Sequence, residues 1–250
     1  MIQSVDRAIR ILLALQDEGV LGVSDLASRL GLAKGTVHGL LQTLAAHSLV
    51  EQDPTSGKYM LGPALLVMGN VYLNSHDLRV RSLRWVASLG ESTGLAVRLG
   101  VLVWPDVVII HHVGPAEVAV PVSEVGLSMP AHATALGKAL LAFHPERRRL
   151  VSEHSLSRLT GKTVTDPKAL EKQLDEIVTS GVAFEDQEAV VGEASVAGAI
   201  FDRSGQVAGA VALVVPADES GIDPSFVAAV RDTARGISRE LGAAVWPGGE

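Results

Sequence analysis

Apolar residues in the first part of the chain recur at helical spacing and stop at glycines. A wide apolar stripe predicts a first helix from Ser4, its expected N-cap, to about Glu18. Within residues 23–41 the apolar positions again lie three and four apart. They flank Gly31, which can adopt the positive φ that a sharp turn needs. The pattern therefore predicts two short helices that cross at a tight turn.

Polar side chains remain on the outer face of the second of these helices, at about residues 34–47. Residues 49–62 then form two short strand-like runs around a turn, which predicts a β-hairpin, or wing. Three helices and a wing make a winged helix-turn-helix, in which the helix at residues 34–47 enters the major groove of DNA. The candidate DNA contacts are Lys34, Gly35, Thr36, His38 and Gln42 on the helix, and Lys58 on the wing.

Beyond residue 62 the pattern changes to a mixture of helices and β-branched runs. We expect an α+β fold in which an antiparallel sheet carries helices at its side. This divides the chain into a winged helix-turn-helix domain (1–62), a linker helix (63–76) and an α+β domain (77–250). The predicted elements after the linker are a helix at 77–93, a hairpin at 95–114, a strand at 118–126, helices at about 131–143, from Pro145 and at 167–180, a hairpin at 194–216, and a helix at 224–244.

Composition adjusts this picture in two respects. The chain has no cysteine, which excludes disulfides, thiolate metal sites and a cysteine nucleophile. Its net charge of −7 differs from the basic balance of a protein that coats nucleic acid. Residues 1–62 are near neutral, with five basic and six acidic side chains. One DNA-binding module should therefore bind modestly, and pairing and base readout should supply the remaining affinity.

The first apolar run lacks the architecture of a signal peptide. Asp6, Arg7 and Arg10 interrupt it at helical spacing, and no small-residue cleavage site follows. No apolar segment approaches the roughly 20 uncharged residues that span a bilayer. We expect a cytoplasmic protein without a membrane partner.

Four segments together resemble the IclR family of bacterial transcription regulators, in order and spacing and over nearly the whole chain. Within that family the variant helix with Gly39 and the wing are most similar to the glycerol-operon regulators of actinobacteria. The segments are QSVDRAIRILLAL, LAKGTVHGLLQTLAAHSLVEQDPTSGKYMLG, GLSMPAHATALGKALLAF and SGVAFEDQEAVVGEASVAGAIFDRSGQVAGAVALVVP.

The resemblance implies a winged helix, a linker helix and a GAF-like α+β effector-binding domain. It also implies homodimers that pair through their DNA-binding domains and commonly assemble into tetramers, with small organic acids or other metabolites as effectors. Many family members have an arginine where this chain has Gly39. We therefore expect a missing DNA contact and a helix weakened by about 1 kcal/mol relative to alanine.

The effector site should lie beside residues 131–138, because Pro130 precedes a helix whose first turn offers free N–H groups. The resemblance places an acidic residue, matched to Asp186, and a polar one, Ser195, across the pocket. Two hydroxyl positions of some relatives correspond to Ala212 and Val214, so we expect a more apolar pocket than in a glyoxylate or pyruvate sensor. The candidate effector-binding residues are Met129, Thr134, Ala135, Leu136, Asp186, Ser195, Ala212 and Val214.

The sequence thus predicts a DNA-binding transcriptional regulator, a repressor by resemblance, that responds to an organic acid or a glycerol-type metabolite. The alternative is a constitutive DNA-binding regulator with a degenerate sensor domain. An enzyme would need Ser195 or Ser128 as nucleophile with His132 and Asp186, but no nucleophile-elbow motif is present.

A metal site at His111-His112 with His132 is disfavoured, because adjacent residues on a strand point to opposite faces. We expect no catalytic residue, no metal ligand and no cofactor.

Overall fold

The computed structural model describes residues 2–115, 123–217 and 221–246, without the side chain of Arg148. The chain divides into two compact units, Met1–Ser75 and His76–Glu250. In the described part of the chain, no helix has both the length and the apolar character needed to span a bilayer.

The first unit contains the predicted helices and wing. Its elements are α1 (Gln3–Glu18), α2 (Val23–Leu30), α3 (Lys34–Ala46), β1 (Val50–Gln52), β2 (Tyr59–Leu61) and α4 (Ala64–Ser75). The first three helices and the wing share one core, in which Ile11, Leu26 and Leu41 are fully buried. Ser4 lies inside α1 and does not cap it, since the N-cap position is Ile2 and has no side-chain hydrogen bond.

Backbone hydrogen bonds fix the turn and the wing. Gly31 ends α2 with φ of 65°, and the next amide, of Leu32, donates to Ala27 O at 3.0 Å. The wing is held to the turn between α1 and α2 by two bonds, from Leu21 N to Tyr59 O (3.0 Å) and from Tyr59 N to Leu21 O (2.8 Å). α2, α3 and the wing are therefore parts of one packed body.

The second unit is built on a six-stranded antiparallel sheet of order β5-β4-β3-β8-β7-β6. Its strands are β3 (Ala96–Val103), β4 (Asp106–Val113), β5 (Ser128–Pro130), β6 (Val182–Asp186), β7 (Glu193–Phe201) and β8 (Val207–Pro216). Its helices are α5 (Asp77–Thr93), α6 (Ala135–Phe143), α7 (Arg147–Glu153), α8 (Pro167–Ser180) and α9 (Pro224–Glu240).

Helices cover both faces of this sheet. Ala197 and Ala199 on β7 belong to the core formed with α6. Gly198 between them faces α9, where an added Cβ would lie 2.8 Å from Ala234 Cβ. Because successive strand residues point to opposite faces, α6 and α9 lie on opposite sides of the sheet. The prediction of an antiparallel sheet that carries helices is confirmed, and the structure adds that helices lie on both of its faces.

Other elements also differ from the pattern-based prediction. β5 and β6 were not predicted. Of the predicted strand 118–126, residues 118–122 lie outside the described residues, and 123–126 contain a turn. The helix expected at 131–143 is divided into a 3₁₀ turn, Ala131–Ala133, and α6. The division occurs at Thr134, whose side chain caps α6 by accepting a hydrogen bond from Gly137 N at 3.0 Å.

Candidate functional site

The predicted DNA-contacting side chains lie together on one face of α3. Val37 and Leu41 are buried on the opposite face, in the core of the first unit. The packing therefore fixes which side of the helix is turned outward. On that side Lys34, Gly35, His38 and Gln42 are exposed and Thr36 is half-buried.

The N-terminus of α3 is open to a ligand. Its N-cap residue, Ala33, makes no side-chain hydrogen bond. The first amides of a helix have no intrahelical acceptor, and the helix dipole makes them electropositive. α3 also contains no acidic residue. Lys34 and Gly35 thus lie where a phosphate could accept from backbone amides.

The wing is ordered by its own turn. Asp53 Oδ1 accepts from Thr55 N at 2.9 Å, and Asp53 Oδ2 accepts from the Ser56 hydroxyl at 2.5 Å. These bonds, led by that from Ser56, lower the pKa of Asp53. Lys58 follows the turn and is exposed. Arg29 is engaged elsewhere, in ion pairs with Asp17 and Glu18.

The second unit contains a small cavity between the N-terminus of α6 and the sheet. Its volume is about 20 Å³, enough for one or two waters. Seven of the eight predicted effector-binding residues line it, and Asp186 does not. The lining residues are Arg98, Val107, Ile109, Met129, Thr134, Ala135, Leu136, Glu185, Ala189, Glu193, Ser195, Ala212 and Val214.

Strand register explains why Glu185 lines the cavity and its neighbour Asp186 does not. Glu185 pairs with Ser195, whereas Asp186 pairs with Ala194. Glu185 is buried, and its Oε2 accepts from the Ser195 hydroxyl at 3.0 Å. Asp186 is exposed and forms an ion pair with Lys162 at 2.6 Å. Asp186 therefore lies outside this cavity while Glu185 lines it, because adjacent residues of a strand face opposite sides of the sheet.

Glu185 is satisfied although it is buried. Its Oε1 accepts from the backbone amides of Glu188 (2.5 Å) and Ala189 (3.2 Å). Burial raises the pKa of Glu185, and these amides and the Ser195 hydroxyl only partly offset that shift. The carboxyl group thus joins β6, the following loop and β7 at the cavity wall.

Arg98 adds a charged group that the predicted apolar pocket did not include. Its Nε and Nη2 donate to the two carboxylate oxygens of Glu124 at 2.5 and 2.9 Å, and Nη1 donates to Glu193 Oε2 at 3.2 Å. Arg98 and Glu193 therefore add charge to a lining in which Ala212 and Val214 are apolar, and the comparison with a glyoxylate or pyruvate sensor stays a prediction. A charged residue inside the β-branched run 95–103 was the available signal, since charges on buried strands require partners.

Behind the cavity wall lies a buried ion pair. Lys138 on α6 is fully buried, and its Nζ lies 2.5 Å from Glu188 Oε1. The backbone carbonyl of Glu188 accepts from the Thr163 hydroxyl at 2.7 Å. Glu188 therefore fastens the loop after β6 to the middle of α6.

The structure does not bring Ser195 or Ser128 into hydrogen-bond contact with His132 and Asp186, the set considered for catalysis. Ser195 donates to Glu185, and Ser128 donates to Asp106 at 2.9 Å. His132 Nε2 bonds Ser157 O at 2.9 Å. Among the described residues, no group of three or more histidine or carboxylate side chains could hold a metal ion.

Comparison with known proteins agrees with these features in both units. Residues 4–54 match the IclR helix-turn-helix domain, and residues 70–239 match the C-terminal domain of bacterial transcriptional regulator IclR. The glycerol operon regulatory protein of Streptomyces griseus is 44% identical over 247 residues, which is 97% of each chain.

Two solved structures extend the likeness to the fold. The crystal structure of an IclR transcriptional regulator from Alicyclobacillus acidocaldarius has a TM-score of 0.80 at 26% identity and covers 97% of this chain and 100% of that one. An IclR homolog from Microbacterium hydrocarbonoxydans, complexed with 4-hydroxybenzoate, has a TM-score of 0.76 at 25% identity, over 96% and 99% of the two chains.

These matched families and relatives are transcriptional regulators and not enzymes. The match covers the helix-turn-helix and the effector-binding domain. The chain belongs to the IclR family of DNA-binding transcriptional regulators.

Proposed function

We propose that this chain is a cytoplasmic, homodimeric repressor of a metabolic operon, with DNA affinity set by a small molecule in the cavity beside α6. The observation that carries the proposal is the outward face of α3. It presents polar side chains and an uncapped N-terminus while its other face is held in the core. A separate unit that matches the C-terminal domain of IclR, with a cavity lined by polar and charged groups, supports control by an effector.

The assignment of individual DNA contacts is part of this proposal. Lys34, Gly35 and the α3 N-terminus would bind phosphate, and Lys58 would follow the backbone from the wing. Gln42 and His38 project from the exposed face toward base edges, where glutamine pairs with adenine. Thr36 would contact phosphate or a thymine methyl group.

Two exposed apolar stripes in the first unit support pairing with a second copy. Ile2, Val5, Ile9 and Leu13 are exposed along α1 at spacings of three and four residues. α4 contains no charged residue and buries none of its side chains within the described structure. The large apolar side chains that α4 exposes are Leu66, Val67, Met68, Val71 and Tyr72. Apolar surface of this extent on a soluble chain is typical of an interface.

Charge substitution in α4 tests the pairing. We expect Val71→Lys to convert dimers to monomers in analytical ultracentrifugation and to weaken operator binding at least tenfold, with unchanged circular dichroism. Val103→Lys, at an exposed position of the second unit, is the control and should leave the dimer intact. An unaltered dimer in Val71→Lys would remove α4 from the interface. The same measurement distinguishes dimers from the tetramers that the family resemblance implies.

The operon and effector are proposed from the relatives. The Streptomyces griseus protein is named for a glycerol operon, which makes a glycerol-type metabolite a candidate for this chain. The Microbacterium homolog was crystallised with 4-hydroxybenzoate, an organic acid, which is the other candidate class.

Footprinting on DNA upstream of its own gene and of neighbouring operons tests the DNA-binding role. We expect protection of an inverted repeat that is lost when a candidate effector is added. Lys34→Gln should reduce the slope of log affinity against log salt by about one per subunit. Lys172→Gln, at an exposed position of α8, is the matched control. No protection at any site, with or without ligands, would count against a regulator of that region.

The small volume of the cavity favours one alternative, a constitutive regulator with a degenerate sensor domain. Such a protein would bind its operator equally in the presence and absence of every metabolite tested. An effector raises stability by mass action when it binds the folded state, so an unfolding screen with small metabolites separates the two hypotheses.

A further inference from the structure

The charge of the guanidinium at the cavity is already neutralised. Arg98 is largely buried, and it bonds Glu124 through two nitrogens and Glu193 through a third. Burial alone would lower the pKa of Arg98 and raise that of Glu124. Their mutual hydrogen bonds and charges reverse both shifts, so the Arg98 pKa is raised and the Glu124 pKa is lowered. The pair is therefore a closed ionic contact.

Carboxyl groups outnumber the cation around the cavity. Glu185 and Glu193 line it, and Glu124 lies behind Arg98. Lys138 does not change this balance, because it is paired with Glu188. His112 lies 3.8 Å from Glu124, and burial is the main cause that lowers its pKa below the ordinary value of 6.5. It is therefore mostly neutral at pH 7 and adds no positive charge. The surroundings of a bound molecule thus have a negative formal charge.

Hydrogen-bond donors and acceptors both face the cavity. Thr134 and the first turn of α6 provide a hydroxyl and backbone amides, and the Ser195 hydroxyl lies opposite. Glu193 uses Oε2 for Arg98, and its Oε1 accepts no hydrogen bond from the residues that the structure describes. Val107, Ile109 and Val214 form an apolar wall beside these groups. A hydroxyl group can both donate and accept, and the carbon chain that carries it can contact the apolar wall.

We propose that this cavity takes an uncharged polyhydroxyl molecule and excludes carboxylates and phosphate esters, and that Glu193 sets this preference. The inference rests on the proposed role of the cavity as the effector site. Of the two ligand classes that the relatives suggest, a glycerol-type metabolite and an organic acid, the charges around this cavity favour the first.

The cost to an anion has two sources. It could take Arg98 from the glutamates, which would leave Glu124 and Glu193 partly buried without a partner. It could otherwise bind beside them, where like charges repel across a short distance in a partly desolvated site. A hydroxyl needs neither arrangement. The cavity of about 20 Å³ is smaller than a polyol, so binding requires the lining side chains to move apart, and a hydroxyl can then replace the longer Arg98–Glu193 contact and hydrogen-bond to both groups.

Equilibrium dialysis of the full-length protein against matched radiolabelled ligands tests the preference. The panel is a set of uncharged polyols of three to six carbons, beginning with glycerol, each with its phosphate monoester and its carboxylic acid. We expect saturable binding of at least one polyol. Its charged counterparts should bind with an affinity lower by about tenfold or more. Equal or tighter binding of a charged counterpart would overturn the proposal. Absence of saturable binding by every polyol would also overturn it.

A matched pair of variants tests the assignment to Glu193. Glu193→Gln keeps an oxygen that can accept from Arg98 but removes one negative charge at the cavity. We expect it to lower the ratio of polyol affinity to anion affinity by about tenfold. Glu146→Gln makes the same chemical change on an exposed side chain near α7 and should leave the ratio unchanged. An equal ratio in wild type and Glu193→Gln would remove Glu193 from the specificity.

The outcome is separable from that of the proposed function. If the protein binds its operator and only an anion releases it, the ligand class is wrong while the regulatory role remains. If a polyol binds the cavity but the protein binds no operator, the regulatory role is wrong while the ligand class remains. Both measurements use the same preparation of the intact chain.

Discussion

Glu185 and Ser195 lie directly opposite each other on β6 and β7, and the serine hydroxyl donates to the carboxylate at 3.0 Å. The bond joins the edge strand to its neighbour beside the cavity. It also holds an acidic side chain in a buried position, where burial raises its pKa. The free energy of unfolding should therefore depend on the ionisation of this one group.

We expect Glu185→Gln to become more stable relative to wild type as pH rises. A carboxyl whose pKa is raised on folding stabilises the protein below its unfolded pKa and loses this contribution as pH rises through the folded value. The amide does not ionise, so its advantage should grow from pH 4.5 to pH 8 in thermal unfolding. Asp186→Asn, at the exposed neighbour, should show no such growing advantage over this pH range. A constant difference between Glu185→Gln and wild type would contradict this.

Acid should destabilise the second unit through His132. Burial, followed by the nearby Lys138 charge, lowers the pKa of His132, while the Ser157 carbonyl and Glu188 oppose the shift. As pH decreases through the ordinary histidine value of 6.5, the unfolded chain takes up a proton before the folded one does. The free energy of unfolding therefore decreases as the pH is lowered. His132→Gln retains a donor for Ser157 and cannot titrate. Its unfolding free energy should fall less between pH 7 and pH 5.5, and a slope equal to that of wild type would exclude His132 as the cause.

Two glycine-to-alanine substitutions should change stability in opposite directions. A Cβ at Gly137 would lie 2.2 Å from Ala131 O, so Gly137→Ala should destabilise the second unit by about 2–3 kcal/mol. A Cβ at Gly39 meets nothing within 4 Å, so Gly39→Ala should stabilise α3 by about 1 kcal/mol. Urea unfolding of the two variants measures both. Equal effects at the two positions would show that the close approach at Gly137 is relieved by movement of the chain.

Removing one member of the Lys138–Glu188 pair should be costly. Lys138→Met leaves the Glu188 carboxylate buried without its cation, and we expect a loss of about 3–5 kcal/mol. Adding Glu188→Gln should recover part of it, because the second change removes the orphaned charge. Arg149→Gln breaks exposed ion pairs with Glu146 and Glu153, which water screens, and should cost far less stability than Lys138→Met. Similar losses in Lys138→Met and Arg149→Gln would argue against the importance of burial.

Local patterns predict the helices well, because their signals lie within a few residues. The ranges expected for α5 and α8 are those observed, Asp77–Thr93 and Pro167–Ser180. Glycines follow both helices, and Asp166 caps α8. These signals are independent of the rest of the fold.

The cavity was less predictable because its lining comes from distant strands. Arg98 meets Glu193 only because β3, β8 and β7 are neighbours, which no local pattern specifies. β6 is short and follows a helix directly, so its register with β7 was not visible. Without that register the acidic residue was placed at Asp186 and not at Glu185. The expectation of a more apolar pocket rested on Ala212 and Val214, which correspond to hydroxyl positions in some relatives, and did not include Arg98 on a neighbouring strand.

The backbone bridge between Leu21 and Tyr59 has a consequence for how the first unit meets an operator. The wing is tied to the base of the helical core before any DNA arrives, so little conformational entropy remains to be lost on docking. Changes in operator sequence should then alter the dissociation rate through lost contacts, with a small and nearly constant heat-capacity change across operators. The protein would thus discriminate among sites as a rigid template and not by folding onto them.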